Sequence, residues 1–295
     1  MNFFRKPYDK LSPETRRYVR NLFPGYVLRW NVHHNTDVYI LSYPKCGRTW
    51  LRLMIGRAIT LHFNLPLDED VLLLNFKKRI HPNVPRIRVE HDDRPMLKQP
   101  TELQSDKSRY KNKSIIFLVR DPRDVIISNY FEFIKRSHLF NTDRNDKHSR
   151  ELNINLSEFI QSNRGGIETI IAYFNIWAVN RNVPRNFLLV RYEDLRLNPI
   201  KELEKTLQFL GLMDIQLETI EQAVDYASFE NMRRMEINGT FQSAMMKPGN
   251  TTDPDSYKTR KGKVEGYRDH LNASDVNFLN QKINTSLSSY FGYNA

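Results

Sequence analysis

A single α/β domain, with a mainly parallel sheet covered by helices on both faces, is predicted by three observations. Short β-branched and apolar runs alternate with segments of helical spacing, the pattern that builds parallel strands joined by crossover helices. The 295-residue chain is long enough to bury one large core. The stretches with chemical character are spread from residue 43 to residue 267, so no domain boundary can be drawn between them.

The first strand is expected in Asp37-Val38-Tyr39-Ile40-Leu41, and Leu51 through Ile59 then reads as a helix. Between them lies Tyr43-Pro44-Lys45-Cys46-Gly47-Arg48-Thr49-Trp50. A strand, a tight turn and a helix N-terminus aim successive backbone N–H groups at one spot, and a lysine beside them suits a phosphate-like anion. The order Gly-x-x-x-x-Gly-Lys-Ser/Thr of an ATP-binding P-loop is absent, because the lysine precedes the glycine. Val71-Leu72-Leu73-Leu74 reads as a short strand or a buried helical turn, and Ile87-Arg88-Val89 as a further strand.

Ser114 through Val119 is expected to be a buried strand that ends in Arg120-Asp121-Pro122-Arg123-Asp124, a strong helix start carrying Ser128 two turns in. Arg120 offers a planar fork for a phosphate dianion, and Ser128 adds a neutral hydrogen bond. Residues 137–153 are highly charged without apolar periodicity and read as a mobile excursion of the kind that forms lids. Helical spacing returns over 156–181. Phe187-Leu188-Leu189-Val190 is the next buried strand, followed by Arg191-Tyr192-Glu193-Asp194-Leu195 and a helix from Ile200 that ends at Gly211. Arg260-Lys261-Gly262-Lys263-Val264-Glu265-Gly266-Tyr267 gathers three cations and two glycines near the C-terminus. Residues 1–35 are polar, aromatic and proline-punctuated, and are expected to cover the domain as short helices.

Three of these motifs together resemble the cytosolic-type sulfotransferases, which move a sulfuryl group from 3′-phosphoadenosine 5′-phosphosulfate (PAPS) to a hydroxyl acceptor and release PAP. Pro44 to Trp50 is similar to that family's 5′-phosphosulfate loop, Arg120 to Ser128 matches its Arg-x-Pro-x-Asp-x-x-x-Ser 3′-phosphate motif, and Arg260 to Tyr267 resembles its closing loop. The resemblance implies a P-loop nucleotide-kinase-like fold. It also implies a donor site made of Lys45, Cys46, Gly47, Arg48, Thr49, Trp50, Arg120, Ser128, Tyr192, Ser228, Phe229, Arg260, Lys261 and Gly262. Within that site Lys45 serves the leaving-group oxygen and the sulfate, and Tyr192, Trp50 and Phe229 serve adenine. Ala227 stands where the family has threonine. Pro85-Arg86-Ile87-Arg88-Val89-Glu90-His91 is similar to the segment that ends in the family's catalytic histidine, so His91 is the implied general base. Imidazole suits the task, with an unperturbed pKa of about 6.5. The family's lysine two residues before that histidine is replaced by Val89, so its role in holding the donor is absent or moved, with Arg88 and Arg94 as candidates. Cys46, beside two cations at a helix N-terminus, is expected to be a reactive thiol protected by PAP, or a buried and inert one.

A formal charge of +11 suits anionic partners. Because no nucleic-acid motif accompanies it, a donor with clustered anionic groups is favoured over nucleic acid, and the remaining charge leaves room for an acidic acceptor or peripheral membrane contact. The acceptor class stays open among small alcohols and phenols, lipid-linked molecules and glycans. No His-x-x-x-His or acidic cluster has ligand spacing, and no metal is required. One cysteine, no signal-peptide core and no membrane-length apolar run predict a cytoplasmic protein. The family's dimer motif is unmatched at Arg268, Asn272, Ala273 and Asn277, so the oligomeric state is undetermined. Two rival readings are an ATP-dependent small-molecule or nucleotide kinase and a non-enzymatic protein that binds anions or anionic polymers.

Overall fold

The computed structural model describes residues 33–65, 71–72, 74, 84–136, 154–241 and 243–294. The expected covering segment before residue 33 and the excursion at 137–153 lie outside them. In chain order the main elements are β1 (Val38–Ser42), α1 (Arg48–His62), β2 (Ile87–Glu90), β3 (Ser114–Val119), α2 (Pro122–Arg136), α3 (Leu156–Ile160) and α4 (Ile167–Val179). They continue with β4 (Asn186–Arg191), α5 (Tyr192–Leu197), α6 (Pro199–Phe209), α7 (Leu217–Tyr226), α8 (Phe229–Ile237) and α9 (Ala273–Ser286).

The four strands form one sheet in the order β2-β1-β3-β4, and every pairing is parallel. β1 and β3 are central and buried at every residue, which explains their unbroken apolar runs. β2 and β4 are the edges and are only partly buried, so Arg88 and Asn186 are tolerated there.

Two groups of helices flank the sheet: α1 packs with α6 and α7, and α4 packs with α2 and α9. Phe117 of β3 anchors the second group, since its ring lies 5.4 to 6.2 Å from those of Tyr173, Phe174, Trp177, Phe187 and Phe291. Offset and edge-on rings at such separations add about 0.5–1.5 kcal/mol per pair beyond their burial. No described helix is long and apolar enough to cross a membrane.

The single helix expected over 156–181 is two, α3 and α4. Gly165 has φ +70°, and a Cβ there would lie 2.7 Å from the Met96 carbonyl oxygen. The turn is therefore pressed against the segment after β2, and a continuous helix is excluded. Val71, Leu72 and Leu74 are buried in a turn and form no strand.

Candidate active site

All four parallel strands end at the same edge of the sheet, and each exit carries one of the residues singled out above. Lys45 follows β1, His91 follows β2, Arg120 follows β3 and Tyr192 follows β4. The chain leaves β1 for β2 on one side and returns to β3 on the other. The crevice at such a reversal is where open parallel sheets bind ligands.

The turn between β1 and α1 is held by Gly47, with φ +92°. A Cβ on Gly47 would lie 2.5 Å from the Tyr192 ring, so only glycine allows that ring to close on the loop. No side chain caps the N-terminus of α1, and its first turn has no acidic residue, so the Arg48 and Thr49 amides and the positive dipole end are left for an anion, while the Trp50 amide bonds to the Gly47 carbonyl. Asn155, Asn198, Ser228 and Asn272, by contrast, cap α3, α6, α8 and α9.

Lys45, with its backbone in the left-handed region, turns its side chain into a narrow cavity lined by Ser128, Phe131, Glu132, Arg136, Asp255, Tyr257, Lys258 and Arg260. Thus the strand-one loop, the helix α2 motif and the C-terminal basic loop meet there. Lys45 Nζ lies 2.5 Å from Glu132 Oε2, while Arg136 Nε and Lys258 Nζ approach the same carboxylate at 3.1 and 3.5 Å. Burial lowers the Lys45 pKa against the pull of Glu132, and Lys258 and Arg136 lower it further. Burial acts in the opposite direction on Glu132, but Lys258, Lys45 and Arg136 outweigh it and hold the carboxyl well below its usual range.

Arg120 Nη2 donates to Asp124 Oδ2 at 3.0 Å and to the Lys263 carbonyl at 2.8 Å, and its guanidinium lies 4.3 Å over the Tyr192 ring. Asp124 Oδ1 accepts from the Tyr267 amide at 2.9 Å. The start of α2 therefore ties down the basic loop. Arg260 lies 4.1 Å over Phe131 and donates to His270 Nε2 at 3.0 Å. Gly262 has φ +59°, and a Cβ there would lie 2.7 Å from the Phe229 ring. Ser228 caps α8 through its hydroxyl, and Trp50 meets Tyr192 edge-on at 5.8 Å. Lys261 is turned toward Asp269 and His270, at 3.2 and 3.1 Å, and is not among the residues lining the cavity.

His91 is fixed on three sides. Its Nδ1–H donates to the Ser42 carbonyl at 3.0 Å, its own carbonyl accepts from Tyr173 at 3.1 Å, and the neighbouring Asp92 pairs with Lys107 and Arg109 at 2.8 Å each. With Nδ1 committed to an acceptor, Nε2 carries the lone pair, and it accepts from Arg48 Nη2 at 2.6 Å. Burial first, then the Arg48 charge, pushes its pKa well below 6.5, so the ring is a neutral base at physiological pH.

Two expectations are corrected. Cys46 is fully buried, and burial drives its thiol pKa far up, against the smaller pulls of Arg120 and Arg48, so the inert alternative holds. Neither candidate replaces the missing lysine, because Arg88 is paired with Glu90 at 2.8 Å and Arg94 is exposed.

Glu132, Arg136 and Glu236 were not singled out. Glu236 accepts from the Lys258 amide at 2.6 Å, from the Thr259 amide and hydroxyl at 2.9 and 2.7 Å, and from Arg136 at 3.3 Å. The available signal was the four-residue spacing of Ser128, Glu132 and Arg136, which stacks them on one face of α2.

Fold and site together define an α/β protein with a cluster of cationic side chains at the carboxyl edge of a parallel sheet. Residues 35–290 match the sulfotransferase domain, and the chain belongs to that family. It is 23% identical to flavonol 3-sulfotransferase of Flaveria bidentis, covering 87% of this chain and 83% of that one. It is 25% identical to sulfotransferase 2A1 of Rattus norvegicus, covering 95% and 92%. The fold is similar to that of mouse sulfotransferase SULT7A1 complexed with PAP, with TM-score 0.54, 19% identity and coverage of 85% and 84%. It is also similar to retinol dehydratase in complex with androsterone and PAP, with TM-score 0.53, 16% identity and coverage of 92% and 93%.

Proposed function

We propose that this protein transfers a sulfuryl group from PAPS to the hydroxyl of a small alcohol or phenol, with His91 as general base. The observation that carries the reading is the meeting of Lys45, Ser128 and Arg260 at one cavity, with the uncapped N-terminus of α1 three residues after Lys45. Two buried guanidinium nitrogens, Arg48 Nη1 and Arg120 Nε, have no hydrogen-bond partner, which fits a site built for a multiply charged anion. Solved relatives with PAP and a relative named for flavonols support this choice of donor and acceptor.

In this reading the backbone from Gly47 to Trp50 and the Thr49 hydroxyl hold the 5′-phosphate. Arg120, Ser128, Arg260, Lys261 and Gly262 hold the 3′-phosphate, and Trp50, Tyr192, Ser228 and Phe229 hold the adenosine. Lys261 would have to leave Asp269 to take part. Bound PAPS supplies an activated sulfuryl group whose leaving oxygen faces Lys45. His91 Nε2 takes the proton of the acceptor hydroxyl, and the Ser42 carbonyl steadies the ring as it becomes charged. Positioning and fixed charge do most of the work, as in phosphoryl transfer. The reading places the enzyme in the cytoplasm, in keeping with relatives named as cytosolic sulfotransferases.

The test is an acceptor screen with radiolabelled PAPS, in parallel with ATP and magnesium and with anionic polymers. Label transferred to an acceptor is the expected result. ATP turnover, or salt-sensitive polymer binding without transfer, would favour the rival readings. His91→Ala should lower turnover by about 100- to 10,000-fold and keep PAP affinity within a few-fold. Since the base works only when neutral and its pKa is lowered, the wild-type rate should rise with pH below 6.5 as the imidazolium is lost. A variant with near-normal turnover would place the base elsewhere.

A further inference from the structure

Arg48 is a half-buried cation of this site that forms no ion pair with a carboxylate among the described residues, Glu90 acting on it only at longer range. Lys45 has Glu132, Arg136 has Glu132 and Glu236, Arg120 has Asp124, and Lys107 has Asp92. Among the described residues the Arg48 guanidinium hydrogen-bonds to the neutral His91, and its buried Nη1 has no hydrogen-bond partner. Burial and the neighbouring charge of Arg52 bring its pKa down to about 10, leaving it fully charged at neutral pH. A charge in that setting is costly unless a ligand supplies the missing anion.

The location narrows what that anion is. A general base must lie within hydrogen-bond reach of the acceptor hydroxyl, and Arg48 is the donor pressed against the nitrogen that would receive its proton. The guanidinium fork therefore stands where the acceptor oxygen meets the transferred group. Val89, where the family has lysine, brings no charge to this region, and Arg88 and Arg94 do not replace it.

We propose that Arg48 binds the oxygens of the transferred sulfuryl group and, in turning to them, releases His91 Nε2 for the acceptor proton. This rests on the sulfotransferase reading above. In the step, the acceptor oxygen–sulfur bond forms as the bond from sulfur to the bridging phosphate oxygen breaks. The electron pair stays on that oxygen, the hydroxyl proton passes to His91 Nε2, and Arg48 remains protonated throughout.

PAP lacks the sulfuryl group, so it separates this function from simple donor binding. For Arg48→Ala, calorimetry should give a PAP Kd within about threefold of wild type, while kcat falls by roughly 100-fold or more, as when one transition-state donor is removed. Arg48→Lys, which keeps a point charge but loses the planar fork, should recover part of the rate and guards against misfolding of the alanine variant. The groups facing His91 are Arg48 from α1, Glu132 from α2, Tyr173 from α4 and Lys258 from the C-terminal loop. Removing the nearest cation raises the His91 pKa, so the acid limb of the pH–rate profile should move up in Arg48→Ala if His91 is the base. PAP binding that weakens as much as turnover would overturn the proposal in favour of a phosphate ligand. A raised acceptor KM at unchanged kcat would overturn it in favour of an acidic acceptor group, and turnover within threefold of wild type would leave Arg48 no role. Failure of the wild type to bind PAP would instead reject the underlying donor reading, before any variant is made.

Discussion

Cys46 illustrates how a neighbourhood rich in cations can still leave a thiol inert. Lys45 and Arg48 flank it in sequence and a helix begins two residues later, yet its side chain packs into the core with no exposed surface. Desolvation dominates, so the thiolate is suppressed. Iodoacetamide should leave the Cys46 peptide unlabelled in the native protein, with or without PAP, and label it after unfolding, as read by mass spectrometry. Labelling of the native protein that PAP blocks would restore the reactive-loop alternative. His91, half-buried, is held neutral in a similar way. Its lowered pKa contributes stability above its unfolded value of about 6.5, and that contribution is lost as pH falls through the folded value.

At the scale of elements, the basic loop is held to the domain from two directions. The first turn of α2 holds it through Arg120 and Asp124, and Glu236 of α8 holds its approach through the Lys258 and Thr259 amides. Glu236 is fully buried opposite Arg136, which is itself buried. Glu236→Gln keeps the shape and removes the charge, breaking the buried ion pair between Glu236 and Arg136. Breaking a buried pair of this kind costs about 3–5 kcal/mol. Denaturant unfolding should report a loss approaching that range, and PAP affinity should fall because the loop carrying Arg260 loosens. Unchanged stability would mean that Glu236 is dispensable to the loop.

For the whole molecule, the site is stitched from residues 45 to 267 across all four strands, and Phe291 near the C-terminus packs on Phe117 in the central strand. We therefore propose that the chain unfolds as one domain. Tryptophan fluorescence and far-ultraviolet circular dichroism should give coincident urea transitions, shifted together to higher denaturant by PAP. Two separated transitions, only one of them sensitive to PAP, would indicate two domains.

The nature of the protein could be read locally because its anion-binding elements are local. A strand-turn-helix such as 38–62 or 114–136 uses neighbouring residues to aim backbone donors and one cation, so local motifs, read with the family resemblance, were enough to propose Lys45, Arg120 and Ser128. The central strands were legible for a similar reason, since burial on both faces demands unbroken apolar runs. The break at Gly165 came from contact with Met96, seventy residues away in sequence, and periodicity carries no trace of such a contact. The convergence of Lys45, Arg136 and Lys258 on Glu132, the anchoring by Glu236 and the pairing of Arg48 with His91 are likewise long-range. By itself, then, the sequence determined which segments could bind anions and which could fill a core. The tertiary structure alone decided which charges face one another, because desolvation and Coulomb energy depend on distance in space rather than along the chain.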